Sequence, residues 1–272
     1  MKNINKIMIC FASICPHPPI IIPTIGGSEL PKVKKTIEAM RKLAGVFAAA
    51  KPETVIIVSP HGPVQTDKMT ITISENLSGN FGQFGDFETQ MNFKNDPVLR
   101  KEIKKSAQIA GIPVDLIDLP QLDHGALVPL CFLTKNYPQV KLTPIAFSFL
   151  DYQTHFKFGQ ILSKLLATSD KRFAIIASGD LSHRVTPDAP AGFSPRGKEF
   201  DEKLVELLKT GNVQGILNLD KDLIEEAGEC GLRSIIILLG VLDGCQLSNA
   251  NCQLLSYEAP FGVGYLVAKY SL

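Results

Sequence analysis

The chain has no tryptophan, only six cysteines and almost no net charge, with 28 Lys and Arg against 27 Asp and Glu in 272 residues. Each shortage removes a class of function. A formal charge of +1 leaves no broad field to hold a polyanion through counterion release, so nucleic acid is not an expected principal partner. The group Lys32, Lys34 and Lys35 reads as the solvated face of a helix. Cys10, Cys15, Cys131, Cys230, Cys245 and Cys252 form no C-x-x-C pair, which argues against a zinc knuckle or disulfide scaffold and for free thiols in a reducing compartment. The most apolar stretch, 235–242, contains Gly240 and falls well short of the roughly 20 residues a membrane-spanning helix needs. Lys2 and Lys6 ahead of 7–15 have the look of a signal peptide, yet Pro16, His17, Pro18 and Pro19 follow without a small-x-small cleavage site. That segment is expected to be the buried first strand of a cytoplasmic protein.

What the chain does have is enough apolar material for a large core, 45% of its residues. Short apolar runs alternate with stretches of helical periodicity, the pattern of an α/β domain with a mixed, mainly parallel central sheet flanked by helices. The runs predict strands over 7–14, 54–59, 69–74, 114–119, 141–147, 173–177, 253–257 and 264–270. Val33, Ile37, Met40, Ala44 and Phe47 put one apolar stripe on a helix over 31–50, with Pro31 in its first turn. Further helices are expected after Asp96, over 158–166 and 198–208, and over 229–242. Segment 76–93, with Gly79, Gly82 and Gly85, reads as an irregular loop, and its G-x-x-G spacing is not a phosphate loop because no Lys-Ser/Thr follows. No repeat period and no linker divides residues 1–272, so a single domain is expected.

The main functional signal is the placement of the histidines. His17, His61, His124 and His183 each follow a strand candidate within a few residues, in C-P-H-P-P, S-P-H-G, L-D-H-G and G-D-L-S-H. Loops beyond the carboxyl ends of strands in an α/β sheet converge on one crevice, so these four are expected to meet there. His155, in D-Y-Q-T-H-F, has no such setting and reads as a surface residue. Imidazole suits iron, zinc, copper and nickel, and two histidines with one carboxylate leave open positions on a metal. The candidate carboxylates are Asp123, Asp180, Glu225, Glu226 and Glu229. Asp123 and Asp180 could equally orient a histidine ring. Glu229, in A-G-E-C-G-L-R-S, is either a buried partner of a metal or of Arg233, or a helix-terminal carboxylate. Cys230 competes for the same role, and consecutive helical side chains diverge by about 100°, so at most one of the two should face the site.

Six segments in order carry a family likeness: H-P-P-I-I-I-P at His17, S-P-H-G at His61, L-D-H-G-A-L-V-P-L at His124, S-G-D-L-S-H at His183, G-E-C-G-L-R-S at Glu229 and P-F-G-V-G-Y-L-V-A at Pro260. With them the chain resembles the class III extradiol ring-cleavage dioxygenases, and in particular their Memo-like branch, protein B of the AmmeMemoRadiSam group. The resemblance implies one α/β domain and non-haem Fe(II) held by His17, His61 and Glu229, with His124 and His183 as an acid/base pair acting on a catechol or related aromatic with O2. Asp123 and Asp180 would hold the histidine rings. The Memo-like branch also includes proteins with cysteine in the carboxylate's place, which makes Cys230 the alternative ligand and a metal- or partner-binding role, with a radical-SAM protein, the alternative function. Zinc, in a hydrolase, and copper are the alternative metals, and a homodimer is the assembly the family suggests.

Overall fold

The computed structural model describes residues 9–247 and 251–272, so the first two residues of the strand expected over 7–14 lie outside it. β1 (Ile9–Cys15) leads through 3-10 turns and the single turn α1 (Pro23–Gly26) into α2 (Lys34–Ala50). After β2 (Thr54–Ser59) and β3 (Met69–Thr72) comes a hairpin, β4 (Asn76–Phe81) and β5 (Asp86–Asn95). Helices and strands then alternate: α3 (Pro97–Ile109), β6 (Val114–Ile117), α4 (His124–Leu133), β7 (Lys141–Ala146), α5 (Tyr152–Leu166) and β8 (Phe173–Ser178). Four helices follow, α6 (Pro195–Lys209), α7 (Val213–Leu217), α8 (Lys221–Ala227) and α9 (Leu232–Gly244), before β9 (Cys252–Glu258) and β10 (Tyr265–Tyr270) close the chain.

The ten strands of the described residues join one mixed sheet in the order β4-β5-β7-β2-β8-β1-β10-β9, with β3 and β6 branching from β7. Its centre, β7-β2-β8-β1, is parallel, while β4, β9 and β10 pair antiparallel at the margins. The central strands read T-V-I-I-V-S and F-A-I-I-A-S and are buried throughout, as expected where helices cover both faces. Apolar clusters lie on the two sides of the sheet, one against α3, α5 and α9 and the other against α2 and α4. This is the expected α/β domain with helices flanking a mixed sheet.

The departures have local causes. Segment 76–93 is a hairpin rather than an irregular loop. Leu77, Gly79 and Phe81 alternate inward along β4 while polar residues fill the outward positions, and a glycine at an inward position, packed on Leu127, hides the period-2 signal. The periodicity does not announce α4, because His124–Leu133 is apolar almost all round and carries Pro129. It is a buried helix, and its start is fixed by Asp123, whose carboxylate accepts the Ala126 amide. Pro31 sits in a 3-10 segment ahead of α2 rather than in its first turn. The last helix begins at Leu232, which leaves Glu229 and Cys230 in the turn before it.

His155 is a correction. It is fully buried on α5, on the apolar stripe it shares with Phe158 and Leu162. Ser148 N donates to its Nε2, so the proton is on Nδ1, which donates to Asp151 O at 2.8 Å. Burial pushes its pKa down to about 4, so the ring is a neutral structural link between the loop after β7 and the start of α5.

Candidate metal centre

The centre is built by strand register. In the parallel set Cys15 aligns with Ser178, and Val58 with Ala177, so β1, β2 and β8 end at the same edge of the sheet. The residues just beyond them, His17, His61 and His183, therefore emerge side by side. His124, at the first position of α4, comes in from the loop after β6. Its ring stacks on His61 with centroids 4.3 Å apart and meets His17 edge-on at 5.5 Å.

His17 is nearly inaccessible, 2% exposed, and its tautomer follows from its neighbours. The Ser178 hydroxyl gives its only proton to Gly125 O. It must then accept from His17 Nδ1, 3.0 Å away, which leaves Nε2 bare. That Nε2 lies 3.0 Å from His61 Nε2 and 3.7 Å from Cys230 Sγ. The His17, His61 and Cys230 ligand atoms all fall within 4.8 Å of one another. Two imidazole nitrogens and a sulfur converging on one point suit a soft or borderline transition metal.

Cys230 reaches the histidines because two backbones touch. A Cβ on Gly179 would collide with Gly231 Cα, and one on Gly231 would meet Asp180 O and Gly179. Only glycines allow the end of β8 and the start of α9 to lie this close. Cys230 N donates to Asp180 O, and Asp180 N donates back to Cys230 Sγ at 3.3 Å. His183 Nε2 completes the group, 3.7 Å from the sulfur.

Glu229, expected in a triad with His17 and His61, sits apart from them in this structure. Its Oε2 accepts the Leu232 amide at 2.6 Å, satisfying one of the free N–H groups at the start of α9. The side chain lines a different cleft with Tyr152 and Arg233. Of the adjacent pair, the thiol faces the histidines and the carboxylate serves the helix.

The remaining candidates surround the donors. Asp123 caps α4 and takes the Ser59 hydroxyl, which in turn accepts the His61 amide. Asp180 accepts the His17 amide at 3.0 Å, and its other oxygen lies 3.8 Å from His17 Nε2. Glu225 and Glu226 lie on exposed parts of α8, and Glu226 pairs with Arg196. Four participants escaped sequence reasoning. Ser59 and Ser178 were hidden as terminal residues of apolar strands, Phe84 stands edge-on to His124 at 5.4 Å from a hairpin that was not expected, and Gly125 is required because a Cβ would press on Ser59 Oγ and Asp123 Oδ1.

Burial sets the protonation states. It lowers the pKa of His17, His61 and His183 and takes His124 down to about 4, with neighbouring imidazoles adding to the effect at His17, His124 and His183. The rings are thus neutral, the form that binds metals and accepts protons. Burial also raises the Cys230 thiol well above its usual range, a preference that a coordinated cation reverses. It pushes Asp180 and Glu229 up to about 7.

Asp201 on α6 holds the His183 loop by accepting Ser182 N at 2.8 Å and the Tyr257 hydroxyl at 2.6 Å. Burial raises its pKa to about 7, so the folded chain holds this proton more tightly than the unfolded one. Its contribution is therefore present in full at low pH and is lost as pH rises from about 4 through about 7, at no more than about 1.4 kcal/mol per pH unit. Urea unfolding at pH 5 and pH 8 is expected to show a smaller loss for Asp201→Asn than for the parent. An equal loss in the two proteins would refute the assignment.

The family model described as the catalytic LigB subunit of aromatic ring-opening dioxygenase matches residues 11–268. A protein of Clostridium acetobutylicum is 37% identical over 265 residues, 94% of this chain but 56% of that protein, so the chain spans little more than half of that relative's length. The 4,5-DOPA dioxygenase extradiol of Mirabilis jalapa is 26% identical over 205 residues, 72% of this chain and 74% of its own. A MEMO1 family protein of Methanosarcina mazei is 28% identical over 134 residues, 47% of each chain. The crystal structure of an uncharacterized protein from Escherichia coli K12 superposes with a TM-score of 0.67 at 17% identity, covering 96% of this chain and 99% of the other, which speaks to the fold alone.

Proposed function

This chain belongs to the LigB family, whose model describes the catalytic subunit of aromatic ring-opening dioxygenase, and on that premise we propose that it is a metal-binding protein of the Memo-like kind, with His17, His61 and Cys230 as the ligands. The observation that carries this reading is the seating of Cys230 Sγ among the imidazole nitrogens while Glu229 turns to the Leu232 amide. Two imidazoles and a thiolate are a softer donor set than two imidazoles and a carboxylate, and they favour copper(I), zinc or iron(II) over hard oxygen-seeking ions. Copper or iron held there would supply one-electron exchange and Lewis acidity.

The chain's own groups prepare the rest of the site. Ser178 fixes the His17 tautomer, and Asp123, through Ser59, steadies the His61 backbone. A cleft of about 650 Å³ opens beside His61 and His124, lined also by Asn80, Gln83, Gln121, Leu119 and Leu122. It has room for a single-ring ligand.

Extradiol cleavage of a catechol with O2, using iron(II), is the second reading. It is favoured by the two neutral imidazoles, His124 and His183, that flank the donor atoms. There His124 would take a proton from a phenolic hydroxyl and His183 would return one to the opening ring, or the reverse.

Elemental analysis of protein purified without oxygen, followed by oxygen uptake with a panel of catechols, separates the two. The first reading expects near-stoichiometric copper, zinc or iron without catechol-dependent uptake. Rapid uptake by the iron-loaded protein would replace it with the second, and the absence of any first-row metal would sink both.

A further inference from the structure

The Glu229–Cys230 turn has two sides. Cys230 faces the histidines, while Glu229 and Arg233 line a separate open cleft of about 750 Å³ between the loop after β7 and the starts of α5 and α9. Three aromatic rings hold the Arg233 guanidinium, with its central carbon 5.0 Å from the Tyr152 centroid, 5.3 Å from Phe149 and 5.9 Å from Phe147. Its Nε is buried and has no hydrogen-bond partner. Among the described residues Arg233 forms no salt bridge. Arg233 as a whole is only half-buried, so its terminal nitrogens, which are not among the buried unpartnered atoms, are the donors left for a ligand in the cleft.

The Arg233 charge acts on the buried Glu229 carboxyl, but none of the acids around the cleft forms an ion pair with it. Asp151 caps α5, taking the Thr154 amide and hydroxyl. Glu229 takes the Leu232 amide, and Glu225 is exposed on α8. Lys221 adds a second cation to the lining, and Phe149, 60% exposed, offers a ring face at the rim. The planar donor fork of arginine matches a carboxylate in two parallel hydrogen bonds.

We propose that this cleft is a second ligand site, separate from the histidine and thiol group, that takes a small aromatic carboxylate. The carboxylate pairs with Arg233 and the ring lies against Phe149. The site does not depend on a metal, so it stands or falls independently of the function proposed above.

The test is a calorimetric titration of the full chain with benzoate, with benzamide as the uncharged isostere. Benzoate is expected to bind saturably, with a Kd on the order of 1 mM, and benzamide at least about tenfold more weakly. Arg233→Met, which keeps the apolar stem under the rings, should weaken benzoate by about tenfold or more, as loss of a charge-assisted pair requires. Phe149→Ala, at an exposed rim position that leaves the core intact, should weaken it by about threefold. Protein stripped of metal by a chelator should bind benzoate as before. The proposal is overturned by no saturable binding up to about 20 mM, by equal binding of benzamide, by retention in Arg233→Met, or by loss of binding in the stripped protein, which would move the carboxylate to the metal centre. Should Arg233→Met fail to fold, the benzoate-to-benzamide ratio in Phe149→Ala and in the parent decides the matter.

Discussion

Cys230→Ala is expected to weaken metal retention by at least about 100-fold, because residues that merely orient a ligand are already worth about 10- to 100-fold and this one supplies the ligand atom. Glu229→Gln is expected to hold metal within about threefold of the parent, since the amide oxygen can still accept the Leu232 N–H and the cap changes by less than about 1 kcal/mol. The two positions are adjacent in sequence, which makes the pair a sharp discriminator. A competition titration against a chelator of known affinity, run on both variants, gives the answer. Loss in Glu229→Gln with retention in Cys230→Ala would mean that the turn before α9 rearranges on loading and that a carboxylate triad forms after all.

The physical case for the thiol rests on what each side chain would lose by changing places. Glu229 would give up a 2.6 Å hydrogen bond at the start of α9, and Cys230 would leave the Asp180 amide without the sulfur it now donates to. The approach of Gly179 to Gly231 leaves the turn little room to rotate. That rigidity is what turns a choice between two neighbours into a defined donor set.

The sequence carried the histidines because their signal is local. His17, His61 and His183 each follow a buried apolar strand, and parallel register brings those strand ends together whatever lies between, while His124 arrives from the loop after the half-buried β6. The choice between Glu229 and Cys230 was not legible, because it depends on where α9 begins. The residues around 229–233 mix charged, small and apolar types with no period that marks a helix start, and Glu229 takes the Leu232 amide from outside the helix, a contact visible only once the chain is folded. The β4–β5 hairpin was lost for a related reason, with glycine at the inward position 79 filling space against Leu127 rather than showing an apolar side chain. His155 was misjudged because it was weighed as a lone imidazole, although its spacing to Phe158 and Leu162 already put it on the buried stripe of α5.

Gly240→Ala is expected to lower the unfolding free energy by about 3 kcal/mol, the upper range for overpacking a tight core. α5 and α9 cross with their backbones in contact. A Cβ on Gly240 would collide with the Phe156 carbonyl oxygen, and one on Gly159 with the Ile237 carbonyl oxygen. Alanine is worth about 1 kcal/mol more than glycine inside a helix, but here the obstacle is a rigid backbone carbonyl rather than a side chain that can swing aside, so the clash wins. Gly45→Ala on α2 is the control, because nothing lies within 4 Å of its added methyl, and it should stabilise by up to about 1 kcal/mol. Urea unfolding with unchanged slope and a lowered midpoint would establish the first effect. The consequence should reach the metal centre, since α9 can relieve the clash only by moving away from α5, and its first turn is tied through Gly231 to the end of β8, where Cys230 meets His17. A Gly240→Ala protein that loses stability and also binds metal more weakly would show that helix packing sets the position of the thiol. One that loses neither would mean that the two helices do not cross as described.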